Sequence, residues 1–126
     1  MALTNAARDL IAQALIGEAF TSFANANARI GVGDSSIVFG ASQTDLQAST
    51  NKLRKAMEAA YPTRASNALT FRSIFGTSEA NFAWNEWGVF NTASAGTMLN
   101  RIVASLGTKT SAQSWQFTVT VTVVAA

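Results

Sequence analysis

The sequence predicts a mainly β protein, an antiparallel β-sandwich with one or two short helices near the N-terminus. Three observations predict it. Near the C-terminus Trp115, Phe117, Val119, Val121 and Val123 alternate strictly with Gln116, Thr118, Thr120 and Thr122, the period-two pattern of a half-buried strand. Other short runs of β-branched and aromatic residues are separated by turn-forming Gly, Asn, Asp and Ser clusters. Near the N-terminus Leu3, Ala7, Leu10, Ile11, Ala14 and Leu15 recur at the three-and-four spacing of one helix face. The 126 residues suit one domain with a single modest core, read as a helix at 4–18 and a β-rich body at 28–126.

Each element follows from local chemistry. The helix at 4–18 takes Thr4 or Asn5 as its cap, and Gly17 loosens its end. Its apolar stripe is expected to cover its own sheet; docking onto a partner is the alternative, and the two can coexist in an assembly. Residues 21–27 lead as a loop into a strand at 28–33, with Ile30 and Val32 facing inward. Gly33-Asp34-Ser35-Ser36 then turns the chain. Gly31 and Gly33 lack the third glycine of a dinucleotide fingerprint and the Gly-Lys-Ser/Thr of a P-loop, so they read as turn chemistry at a strand end. Ser42 can cap a helix start with Asp45 at the favourable end of the dipole. Beyond it, Leu46, Thr50, Leu53, Met57 and Tyr61 fit a helix, whereas the turn at 62–67 and the strand at 68–75 fit a hairpin with a strand over 53–61. Propensity favours the helix and turn chemistry the hairpin; the hairpin is the expectation.

Residues 79–91 form the organising strand. One face would carry Phe82, Trp84, Glu86, Gly88 and Phe90, the other Ala83, Asn85, Trp87 and Val89. Bulky aromatics on both faces point to a central strand or a subunit interface. A carboxylate among aromatics needs a partner, so Glu86 is expected to pair with Arg101 or Arg72, as a structural ion pair rather than a catalytic acid. A turn at 92–96, a strand at 98–103 and a polar connection at 106–110 complete the count.

Composition bounds the function. Nearly half the residues are hydrophobic and 13% are charged, a low share for the surface of a soluble monomer. Such a surface invites burial against other subunits. With no cysteine and no histidine, disulfides, thiolate metal sites and histidine-dependent triads are excluded. The seven carboxylates show no spacing of a catalytic pair, so no enzymatic activity, cofactor or metal is expected. Lys52, Arg54, Lys55, Arg64 and Arg72 cluster without the interleaved aromatics of a nucleic-acid groove. They read as a charged hairpin edge that resists aggregation, and with a net charge of +2 a nucleic-acid partner is not expected. The apolar run at 119–126 is too short to cross a bilayer and the N-terminus does not read as a signal peptide. Synthesis in the cytoplasm without a membrane partner is therefore expected.

The order of short motifs carries a resemblance. Ile30-Gly31-Val32-Gly33-Asp34 is followed by Ala41-Ser42-Gln43-Thr44-Asp45-Leu46, then Glu86-Trp87-Gly88-Val89-Phe90-Asn91, then Gly96-Thr97-Met98-Leu99-Asn100-Arg101 and a threonine–valine strand. From residue 29 onward this order resembles small virion structural proteins of tailed bacteriophages, and more loosely the N-terminal module of phage tail-collar and tail-fibre proteins. The resemblance implies a non-catalytic β-rich module that multimerises and attaches to other virion proteins of the tail, neck or capsid, in a virion assembled in the host cytoplasm. The sequence ends at Ala126 without a fibre shaft or receptor-binding tip, so a tail, neck or capsid-decoration subunit is expected, with a trimer as the expected oligomer. Gly31, Gly33, Asp34, Glu86, Gly88 and Arg101 are expected to be architectural. Phe82, Trp84, Trp87, Phe90 and Trp115 are expected in the interface or the core. The alternative is a carbohydrate-binding module that offers Trp84, Trp87 and Trp115 as platforms for sugar rings.

Overall fold

A computed structural model describes residues 2–125; Met1 and Ala126, the limits of the expected domain, lie outside them. The chain is mainly β. Helix α1 (Asn5–Leu15) precedes strands β1 (Arg29–Gly33), β2 (Lys52–Ala56), β3 (Thr63–Ala65), β4 (Ala68–Phe75), β5 (Glu86–Phe90), β6 (Met98–Val103) and β7 (Trp115–Thr122). They form two antiparallel sheets, one in the order β2-β1-β5-β6 and one in the order β3-β4-β7. Ile30, Val32 and Val89 from the first sheet meet Phe71, Phe75, Val119 and Val121 from the second in a shared core. β-Branched and aromatic side chains fill such a space well because they pack on a pleated surface.

The alternation in β7 is observed as expected, with Val119 and Val121 buried and the intervening threonines exposed. It pairs along its whole length with β4, from Phe75 opposite Trp115 to Ala68 opposite Thr122. The helix is one turn shorter than its sequence pattern and is capped by Thr4, not Asn5: the Thr4 side chain accepts the Ala7 N–H.

The four-stranded sheet is covered on both faces, and glycines make that possible. A Cβ on Gly31 would lie 2.6 Å from a ring carbon of Phe90. On Gly33 it would strike the Glu86 carboxylate, and on Gly88 the carbonyl oxygen of Asn100. These glycines therefore serve close approach inside the sheet, which corrects the reading of Gly31 and Gly33 as strand-end turn chemistry.

A bulge sets the register of β6. Val89 lies opposite Asn100 and Phe90 opposite Met98, leaving Leu99 as the extra residue. Because of it Met98 and Arg101, three apart, face the same side as their partners Phe90 and Gly88. The N-terminal segment locks this bulge: Leu3 bridges to Asn100, the Thr4 N–H donates to Leu99 O at 3.1 Å, and the Thr4 hydroxyl donates to Met98 O.

Three further expectations are corrected. Residues 42–45 do not start a helix, because the N–H groups of Gln47 and Ala48 that would enter it donate instead to Glu86. The strand expected over 53–61 is β2, which ends at Ala56 and pairs with β1, not with β4. The hairpin partner of β4 is the short β3, turned at Ser66, whose φ is 55°. Finally, the organising strand is only β5; Phe82 and Trp84 precede it. Trp84 exchanges backbone hydrogen bonds of 2.8 Å with Gly107 and Leu106, whereas the Asn85 N–H turns to Gly33 O. This handover breaks the alternation, so Trp84 joins Trp87 and Val89 in the sandwich core while Phe90 packs with Leu46 and Met98 on the other face.

Gly88→Ala is expected to cost about 2–4 kcal/mol, because the opposing group is backbone that cannot swing away. Gly40→Ala, with its nearest atoms at 3.8 Å, should stay within about 0.5 kcal/mol. Urea midpoints of the two variants check both values; equal midpoints would contradict the close approach.

Candidate functional site

The residues singled out on β5 and β6 meet in a closed polar cluster. Glu86 Oε1 accepts from Arg101 Nε at 2.7 Å and from the Gln47 N–H at 2.8 Å. Its Oε2 accepts from the N–H groups of Ala48 at 2.8 Å and Ser35 at 3.3 Å. Arg101 Nη1 continues to Ile37 O at 2.8 Å and Gln43 Oε1 at 3.3 Å, while Nη2 is buried without a partner. Both charged side chains are fully buried. Four donors occupy the carboxylate, which leaves it no ready acceptor site for a substrate, so the arrangement acts as an anchor. It fastens residues 35–48 across the outer face of the four-stranded sheet. Of the two candidate partners Arg101 is the one used; Arg72 lies 3.8 Å from Glu58 and stacks over Tyr61. Asp34 follows β1 and accepts from Asn51 at 2.9 Å, an architectural contact at the turn.

The basic cluster is split between the two sheets and largely paired. Asp45 holds Lys52 at 3.4 Å and Arg54 at 3.1 Å, and the Arg54 guanidinium also covers the Phe90 ring at 3.6 Å. Lys55 meets Glu79 at 2.6 Å. Burial works to raise the Asp45 pKa, but hydrogen bonds from Arg54 and the Leu46 N–H, with the nearby charges of Lys52 and Arg54, together bring it below its ordinary value. The hydrogen bond from Lys55, aided by the Gly76 N–H, holds Glu79 low. Sequence reasoning missed Lys109, which is buried and donates to Gly76 O at 2.6 Å and Asn81 Oδ1 at 2.8 Å. A lysine in a polar connection carries no signal of such burial.

The expected aromatics divide. Trp84 and Phe90 are interior. Phe82, Trp87 and Trp115 are half-buried, and both tryptophans already stand edge-on to neighbours: Trp115 against Trp84 at 4.9 Å, Trp87 against Phe117 at 5.4 Å. An open groove of about 370 Å³ runs beside Trp115, lined also by Trp84, Leu106 and Phe117.

Apolar surface is exposed elsewhere. Beyond Ala7 the stripe of α1 only partly meets the body: Leu10 and Ala14 are half-buried, whereas Ile11 and Leu15 are exposed, Leu15 by 81%, followed by Ile16 and Phe20. On the anchored segment Ile37 and Val38 project, the latter 82% exposed. Val123 and Val124 extend past β7 in the same condition. The helix stripe was legible in the sequence; the signal for the second patch was the apolar triplet Ile37-Val38-Phe39 inside an otherwise polar loop. Among the described residues no His, Cys, Asp or Glu cluster is arranged to hold a metal ion, and no helix is long and apolar enough to cross a membrane. No protein-family model matches the chain, and no curated protein does either.

Removing one partner of the buried pair, as in Arg101→Met, should destabilise by about 3–5 kcal/mol, and the double change Glu86→Leu/Arg101→Met should recover none of that loss, because it strips the N–H groups of Ser35, Gln47 and Ala48 of their acceptor. Chemical denaturation of the three proteins measures the difference; a double variant more stable than Arg101→Met would contradict the anchoring role. For Asp45 and Glu79 the lowered folded-state pKa fixes the sign. Their contribution is complete above the ordinary carboxylate range and is lost as pH falls through the lowered values. Glu79→Gln should therefore flatten the acid limb of stability against pH, read from urea midpoints across that limb.

Proposed function

We propose that the chain is a non-catalytic structural subunit of a tailed-phage virion that associates with itself and docks on other virion proteins. A tail, neck or fibre-attachment component and a capsid decoration protein both fit this reading, and a trimer is its working oligomer. The observation that carries it is the apolar face of α1 left without a home, from Ile11 through Leu15 to Ile16 and Phe20. Large hydrophobic side chains held in water at the end of an ordered helix gain about 1.5–3 kcal/mol each when a neighbour covers them. The order of motifs from Ile30 to the threonine–valine strand supports the virion assignment by resemblance. The two polar centres that a catalytic reading would need, around Glu86 and Lys109, are occupied by internal hydrogen bonds. A carbohydrate-binding role has one observation in its favour, the open groove beside Trp115, but Trp84 is buried and offers no face to a sugar.

Light scattering over a concentration series should give a trimer or larger assembly for the wild type. Leu15→Asp should weaken that assembly about tenfold or more without moving the urea midpoint of the subunit, because Leu15 has little contact at home. A wild type that stays monomeric at every concentration, or an assembly indifferent to Leu15→Asp, would count against the helix face as the contact.

A further inference from the structure

The edges of the two sheets are not protected alike. β2 presents Lys52, Arg54 and Lys55, β3 is three residues long with Arg64 at its centre, and β6 is bridged at Asn100 by Leu3. Charge, shortness and cover are the usual means of blunting an edge. β7 has none of them. It is eight residues long, carries no charge or proline from Trp115 to Ala125, and closes its sheet with β4 on one side alone.

The direction of its free backbone groups follows from one hydrogen bond. The Val123 N–H donates to Asn67 O at 2.8 Å, in register with the pairing of Thr122 and Ala68. In an antiparallel ladder alternate residues direct N–H and C=O to opposite sides. The odd-numbered residues of β7 therefore bond to β4, and Gln116, Thr118, Thr120 and Thr122 turn their backbone groups outward. A row of such groups fits one kind of occupant, an extended strand.

We propose that this occupant is β7 of a second copy, paired antiparallel across a two-fold axis through Val119. The proposal rests on the reading that the chain self-associates and names a contact that the helix face does not supply. On that axis Thr118 lies opposite Thr120 of the second copy and Gln116 opposite Thr122, so every residue with outward backbone groups meets another in a hydrogen-bonded pair. On the core-facing side Phe117 meets Val121, and Trp115 meets Val123, which is 67% exposed in the single subunit. No charge faces its own image across the axis, as would happen at β2. The two three-stranded sheets become one of six strands. The contact is self-complementary, as a two-fold interface must be, and together with a three-fold contact at the helix face it joins two trimers into a hexamer.

The test uses two variants of the full chain, Gln116→Lys/Thr122→Lys and Gln116→Glu/Thr122→Glu. Both positions are exposed, and their β4 neighbours Ile74 and Ala68 carry no charge. Each variant alone puts two like-charge pairs across the axis and should weaken the pairing about tenfold or more, halving the assembly mass in native mass spectrometry. Mixed, the two should pair lysine chain with glutamate chain and restore the wild-type mass, an outcome that a misfolded variant cannot give. If both variants alone keep the wild-type mass, or fail to recombine while retaining the wild-type circular dichroism, the seam is wrong and self-association through another face stands. A wild type that is monomeric throughout overturns the seam together with the reading on which it rests.

Discussion

A fully buried carboxylate and guanidinium set the terms for half of this molecule. Taking two ions out of water is tolerable only when hydrogen bonds replace the lost water, and here backbone groups supply three of the carboxylate's four donors. Glu86 takes the N–H groups of Ser35, Gln47 and Ala48, and Arg101 takes the carbonyl of Ile37. A segment with no regular structure thereby acquires fixed geometry and lies over a sheet with the amides of Ser35, Gln47 and Ala48 satisfied. The sheet must in turn be bare beneath it. Gly33 leaves room for the carboxylate and Gly31 for Phe90, whose ring Arg54 then covers. One ion pair, two glycines and a loop form a single unit, and changing any member alters what the others must accommodate.

Much of the fold was legible because its signals are local. Alternation in β7 needs only the residues of β7, and a threonine three residues ahead of Ala7 needs only the first turn of α1. Glu86 was legible for a different reason: a charge in an aromatic run demands a partner, and few arginines could supply one. What escaped were decisions made between distant segments. The bulge at Leu99 depends on the N-terminal segment that holds it. The choice of β1 rather than β4 as the partner of β2 joins segments some twenty residues apart across the 35–48 loop, and no local period encodes it. Trp84 falls on the core side because its backbone pairs with the chain around Gly107, a contact that no local period encodes. The helix expected after Ser42 failed for the same reason, its first amides being claimed by a carboxylate from β5.

The few charges of the chain are also placed with economy. Asp45 neutralises two cations, Glu79 and Glu58 one each, and Glu86 the buried arginine. Ion pairs that close on the same subunit leave less charge to keep the remaining surface apart from its neighbours. The exposed apolar side chains thus stand on a surface with weak electrostatic opposition to contact.

The order of the strands bears on how the chain reaches this state during synthesis. β1 emerges early, but its partners are β2 and β5, and β4, paired locally only with the three-residue β3, waits for the last strand, β7. Until Arg101 has left the ribosome the Glu86 carboxylate has no counter-ion, and the 35–48 segment has nothing complete to close upon. Pairings between segments so far apart are slow to form because the intervening chain must first be gathered. Most of the molecule should therefore settle only after translation ends, and until then its unpaired strand edges stand open to other chains.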